Sequence, residues 1–164
     1  MLNDITIAQY FLSKDQDRTL FNKNVVSKNG RSFYEGNARL NKYLHLAQNI
    51  YIAMTGAKLF EEDLYAYDNG AVALAVQENY AILLSRIVIP ALPEKIRDFL
   101  DKLYAVLANA SLDELIEISH EDEAWQEKHT YYAKENQRMD SLSHLVEYQE
   151  QYRDIIKVME RMDI

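Results

Sequence analysis

Apolar positions recur along most of the chain at intervals of three and four, the spacing that lines one face of a helix. Asp4 is a candidate cap for a first short helix with Ile5, Ala8, Phe11 and Leu12 on its inner face. Over residues 13–36 the pattern fades and polar side chains dominate. That stretch reads as a long loop, of a length that goes with function or flexibility in a compact domain. The clearest helix follows. Asn37 is its predicted N-cap, Leu40, Tyr43, Leu44, Ala47, Ile50, Tyr51 and Met54 form a stripe wide enough for a central helix, and Gly56 fits the C′ position.

Beyond it, residues 59–67 mix aromatic and acidic side chains ahead of an Asn69-Gly70 dipeptide, a tight-turn signal, so a short β-hairpin fits within 59–72. Residues 71–88 are apolar almost all round (Val72, Leu74, Val76, Ile82, Leu83, Leu84, Ile87, Val88) and read as one buried helix. Pro93 suits the first turn of the next helix, whose stripe is Ile96, Phe99, Leu100, Leu103, Val106 and Leu107. Ser111 and Glu114 have capping-box spacing in front of Leu112, Leu115 and Ile116. A further helix carries Ala124 and Trp125 and frays near Asn136. Ser141 caps a terminal helix with Leu142, Leu145, Tyr152, Ile156 and Met159 near heptad spacing, interrupted at Gln149. The predicted fold is mainly all-α, an irregular multi-helix domain with one short hairpin. Residues 1–140 form its body, and 141–164 form a C-terminal helix packed on it or used in association.

Composition narrows the function. A chain of 164 residues is one domain's length, long enough for a core without staples. With no cysteine, disulfides and thiolate metal sites are excluded. The first fifteen residues have no basic stretch ahead of an apolar run, and no window approaches eighteen uninterrupted apolar residues. A cytoplasmic location and no membrane partner are expected. Charge is uneven: residues 14–42 hold seven basic and three acidic side chains, a net +4 in a chain of −8, so the remainder carries −12. An acidic body disfavours phosphate backbones, and no helix clusters Arg and Lys for a DNA groove.

Catalytic constellations are thin. His120-Glu121 resembles the start of a metalloprotease pair, but the second imidazole would have to stand at position 124, which is Ala124. His120 and His129 enclose Glu121, Asp122, Glu123 and Glu127. This run could hold a metal, yet acidic residues at a helix start are also what the dipole favours. The second reading leads to no metal and no cofactor. The four glycines lack phosphate-loop spacing, and serines sit mainly at helix starts, where capping explains them. No catalytic residue is expected. Twelve tyrosines offer contact area at low entropic cost; Tyr43 and Tyr51 fall on the core stripe, whereas Tyr131 and Tyr132 lie in a polar stretch.

Three stretches in order, AQYFLSKD, LNKYLHLAQNIYIAMTGAKLFEEDLYAYDNGAV and LDELIEISHEDEAWQ, resemble the Panacea antitoxin domain, the family of SocA-like and phage-associated GepA-like proteins. The match rests on Tyr10, Phe11 and Leu12, on Ala47 and Gln48, on Thr55, Gly56, Leu59 and Phe60, on Gly70 and Val72, and on Ser119, His120, Glu121 and Trp125. It covers about residues 4–130. The chain departs in having Tyr67 near the family's usual Trp and Ala71 where Pro is usual.

The resemblance implies an antitoxin, phage- or mobile-element-encoded, that neutralises a cognate toxin by direct binding and can deliver it to a protease. It marks Gln48, Tyr67, Asp68, Gly70, Val72, His120, Glu121 and Trp125 as motif or binding positions. Trp125 is expected in the core with its indole N–H bonded, His120 tying a turn, and Gln48 buried against the turn at 68–70. Two alternatives from other classes are a metal-dependent hydrolase centred on His120, Glu121 and Glu123, and a structural homo-oligomer assembled through the C-terminal helix.

Overall fold

The computed structural model describes residues 2–129 and 137–163. Tyr131, Tyr132 and the fraying expected near Asn136 lie outside the described residues. The fold is mainly α, with two small antiparallel hairpins. Its centre is α2 (Glu35–Thr55), which is buried on every side from Arg39 to Ile50. It begins two residues before the predicted cap, and ends where Gly56, at φ 77°, takes the left-handed position and donates its N–H to Ile52 O.

Against α2 lies α1 (Asp4–Lys14), capped by Asn3, whose Oδ1 accepts the Thr6 N–H at 2.8 Å. Asp4 is therefore not the cap but the first buried residue of the helix. Burial and the neighbouring Glu62 carboxylate push its carboxyl up to about 6.

The loop predicted over 13–36 is more ordered than its composition suggests. Asp15 accepts the N–H groups of Thr19, Leu20 and Phe21, folding the chain back and placing the Phe21 ring edge-on to Tyr43. A hairpin follows: β1 (Val25–Lys28) pairs with β2 (Arg31–Tyr34). Its turn residues Asn29 and Gly30 have φ of 51° and 75°, the paired left-handed conformation that twists a two-residue hairpin correctly. Its strands, VVSK and RSFY, do not alternate apolar with polar residues although β1 is half-buried at every second position, which is why the hydrophobic pattern passes over it.

The second hairpin falls in the predicted window. β3 (Tyr65–Tyr67) pairs with β4 (Gly70–Val72), Tyr67 opposite Gly70. Asp68 and Asn69 make the turn, and Gly70 enters the strand at φ 112°, one residue later than the dipeptide signal places it.

The single buried helix expected over 71–88 does not form. α3 (Leu74–Glu78) and α4 (Tyr80–Ser85) are separated at Asn79, whose side chain bonds back to Ala75 O. Tyr80 turns inward and donates to Asn22 O, so only Ala71, Val72, Ala73, Val76 and Tyr80 enter the core, while Ile82, Ile87 and Val88 stay outside.

Next, α5 (Glu94–Leu107) buries Phe99, Leu100, Leu103 and Leu107, with Pro93 one position earlier than predicted, at the N-cap. α6 (Leu112–His120) starts on the predicted capping box, Ser111 Oγ accepting from Glu114 N and Glu114 Oε1 from Ser111 N. α7 (Glu123–Lys128) is capped by Asp122.

The terminal helix is two, α8 (Leu145–Gln151) and α9 (Arg153–Glu160), after a 3-10 turn at Leu142–His144; Ser141 makes no side-chain cap bond. α8 lies along α2 and buries Tyr148. Among the described residues no helix is long and apolar enough to cross a membrane.

Candidate functional site

α6 and α7 meet at a corner made by Glu121, which ends the first helix, and Asp122, which caps the second. That corner puts His120 and, one turn apart on α7's own face, Trp125 and His129 side by side. The indole lies between the imidazoles, stacked on His120 at 4.2 Å and on His129 at 4.3 Å between ring centroids. All three rings clasp the turn of the second hairpin. Trp125 Nε1 donates to Tyr67 O (2.9 Å), His120 Nε2 to Asp68 O (3.0 Å), and His129 Nε2 meets Asp68 Oδ1 (2.9 Å). Arg31, at the start of β2, takes the other Asp68 oxygen at 3.1 Å, so both hairpins share one carboxylate.

Burial pushes the His120 imidazole below its usual range, with Lys42, His129 and His45 adding to the shift against the Asp68 carbonyl. A neutral ring whose Nε2 faces a carbonyl must carry its proton there. The arrangement fastens a turn rather than passing protons: the indole N–H and both Asp68 oxygens are engaged.

Of the positions singled out by sequence, Tyr67, Asp68, Gly70, His120 and Trp125 are thus brought together. Val72 is adjacent, buried opposite Tyr65. Glu121 is not part of the cluster; it is exposed at the C-cap of α6. Gln48 is not there either. Instead of the 68–70 turn it holds residues 59–60, its Oε1 accepting from Leu59 N and Phe60 N and its Nε2 donating to Phe60 O. A side chain in the middle of a buried helix reaches the loop packed beside it, not the one nearest in motif order. His120 and His129 do not converge on a common ion position, since Trp125 stands between them.

Lys42 and Arg31 are the residues that pattern reading passes over. Both border a cleft of about 610 Å³ that opens between the hairpins and the starts of α2 and α3. Much of its polar lining is bonded to its own walls: Asn37 Nδ2 to Gln77 O, Asn41 to Asn37 and Ala73, Lys42 Nζ to Ala71 O at 3.0 Å. Lys42 is wholly buried and has no carboxylate partner among the described residues, and desolvation pulls its ammonium down to about 7.

Gly70 makes room for it. A Cβ there would meet Ser119 Oγ and would lie 2.5 Å from Lys42 Cε, at a φ that side chains rarely adopt. Gly70→Ala is therefore expected to cost about 2 kcal/mol from overpacking and backbone strain, measured as a lowered urea midpoint.

A run of exposed apolar side chains lies elsewhere. α4 runs into residues 86–92, an irregular piece in which Ile87, Val88 and Ile89 are consecutive and solvent-facing, Ile89 73% and the nearby Ile82 68% exposed. Among the described residues no backbone hydrogen bond involves residues 87–92. This is an irregular apolar segment whose backbone pairs with nothing among the described residues.

Compared with known proteins, the chain matches no family model, no curated protein and no solved structure.

Proposed function

We propose that the protein is an antitoxin-like binding module that neutralises a toxin by direct contact, with residues 87–89 as the edge that the toxin pairs with. The observation carrying this reading is that run of Ile-Val-Ile with its backbone donors and acceptors unspent. A segment in that state recruits a strand from a partner, where main-chain bonds supply affinity and alternate side chains supply selectivity. The resemblance to the Panacea domain supports the same class. The −12 carried outside residues 14–42 favours long-range attraction of a basic partner to the body, while the edge itself, flanked by Arg86 alone, is recognised by apolar contact and main-chain bonds.

The hydrolase alternative draws no support from the geometry around His120, which stacks on Trp125 while Glu121 faces solvent.

Co-expression with the product of the adjoining open reading frame tests the proposal. The expected result is that the neighbour arrests growth alone, is harmless with this protein, and co-purifies with it. In Ile87→Glu/Ile89→Glu, two exposed changes that leave the core intact, the dissociation constant should rise about 30- to 1,000-fold, the loss of two anchor side chains at roughly 1–2 kcal/mol each. A harmless neighbour that forms no complex overturns the reading.

A further inference from the structure

Glu123 and Glu127 stand one turn apart on α7, and His144 precedes Glu147 by one turn at the start of α8. The four meet where the two helices face each other. His144 Nε2 is bonded to Glu127 Oε2 at 3.1 Å. Its other nitrogen, Nδ1, faces Glu123 Oε2 and Glu147 Oε1, each 3.8 Å away, and has no hydrogen-bond partner among the described residues. The imidazole is 7% exposed, so water does not readily supply one.

A neutral ring that gives its Nε2 proton to Glu127 presents a lone pair at Nδ1. That lone pair and two carboxylate oxygens then lie within 4.8 Å of one another, three acceptors without a donor among them. A proton on Nδ1, 3.8 Å from each carboxylate, makes no hydrogen bond there, whereas a divalent cation serves all three acceptors at once. We propose that Glu123, His144 Nδ1 and Glu147 bind a zinc ion, with Glu127 orienting the imidazole from behind.

The donor set is right for it. Imidazole with carboxylates suits zinc, whereas magnesium and calcium favour all-oxygen sites. Donors about 2.0–2.2 Å from a tetrahedral ion stand about 3.4 Å apart, so each carboxylate needs to move a few tenths of an ångström toward Nδ1, and the two oxygens, within 4.8 Å of each other, up to about an ångström and a half closer together. Glu123 and Glu147 are 58% and 44% exposed, free enough to do so. A carboxylate holding the far nitrogen of a ligating histidine is the usual outer-shell arrangement of such sites. Bound there, the ion would join α7 to α8 beside the residues that anchor both helices on α2.

The full chain, stripped with chelator and titrated with zinc chloride in a calorimeter, is expected to bind one ion per chain and to gain several degrees in Tm. Glu127→Gln should weaken binding about tenfold through the lost orientation. Glu123→Gln/Glu147→Gln, two exposed and nearly isosteric changes that keep the fold by circular dichroism, should abolish the one-to-one binding. Glu121→Gln, an exposed carboxylate outside the cluster, should leave it unchanged. Zinc bound with undiminished affinity by the double variant, or no saturable binding by the unmodified chain, overturns the proposal.

Discussion

Asp122→Ala is expected to lower the unfolding free energy by about 3–5 kcal/mol, the loss that follows when a buried charged group vanishes and its partners stay behind. The carboxylate is completely buried and fully used. Oδ2 accepts from His45 Nε2 at 2.6 Å and Asn49 Nδ2 at 2.9 Å, Oδ1 from Tyr148 Oη at 2.7 Å and from Ala124 N at 2.9 Å. Asn49 extends the network to Tyr152 Oη at 3.0 Å. One side chain thereby joins α2, the start of α7, α8 and the break before α9, and its removal strands several donors in a dry interior.

Burial alone would raise this carboxyl, but the bonds from His45, Tyr148 and Asn49 outweigh it and hold the group below its ordinary 3.8. A folded-state value below the unfolded one contributes stability above pH 3.8 and loses it as pH falls through the folded value. Acid unfolding of the unmodified chain should therefore steepen below about pH 4, and the variant should lack that component. Urea midpoints taken between pH 7 and pH 3 measure both; an Asp122→Ala chain within about 1 kcal/mol of the parent would mean the network forms only in part.

How much of this was legible depends on which physical rule governs each element. Local rules were readable: the Ser111–Glu114 capping box, the Gly56 stop and the 59–72 hairpin depend on a few adjacent residues. α2 shows what periodicity cannot reach. Its apolar stripe predicts one buried face, yet Arg39, Asn41, Lys42, His45 and Asn49 are buried too, beside the Gln48 already expected inside. Each bonds to a loop or helix far away in the chain, as Arg39 does to Ala110 O and Asn49 to Asp122. Polar residues on a helix look solvated until the segment that covers them is known.

Residues 71–88 err in the opposite direction, apolar in composition yet exposed in their second half, because Asn79 and the inward pull of Tyr80 redirect the chain. The candidate site divides the same way. Asp68, His120 and Trp125 could be associated by motif order, but nothing local in the sequence connects Asp68 with Arg31 or His144 with Glu123.

Lys42→Met is expected to stabilise the protein by about 3 kcal/mol at pH 6, a gain that fades toward pH 10. In the folded chain burial brings the Lys42 ammonium from 10.5 down to about 7. Between those two values the unfolded chain holds more protons than the folded one, so the parent's stability rises with pH across that interval. Below about 7 both states are charged and the folded state bears the whole desolvation cost, up to about 4–5 kcal/mol at 1.36 kcal/mol per pKa unit. Methionine fills a similar volume without charge, while losing the bond to Ala71 O subtracts about 1 kcal/mol. Guanidinium midpoints of the two chains at pH 6, 8 and 10 test this directly. Curves that stay parallel over that range would mean the ammonium titrates as if solvated, with water or a counter-charge reaching it from the cleft it borders.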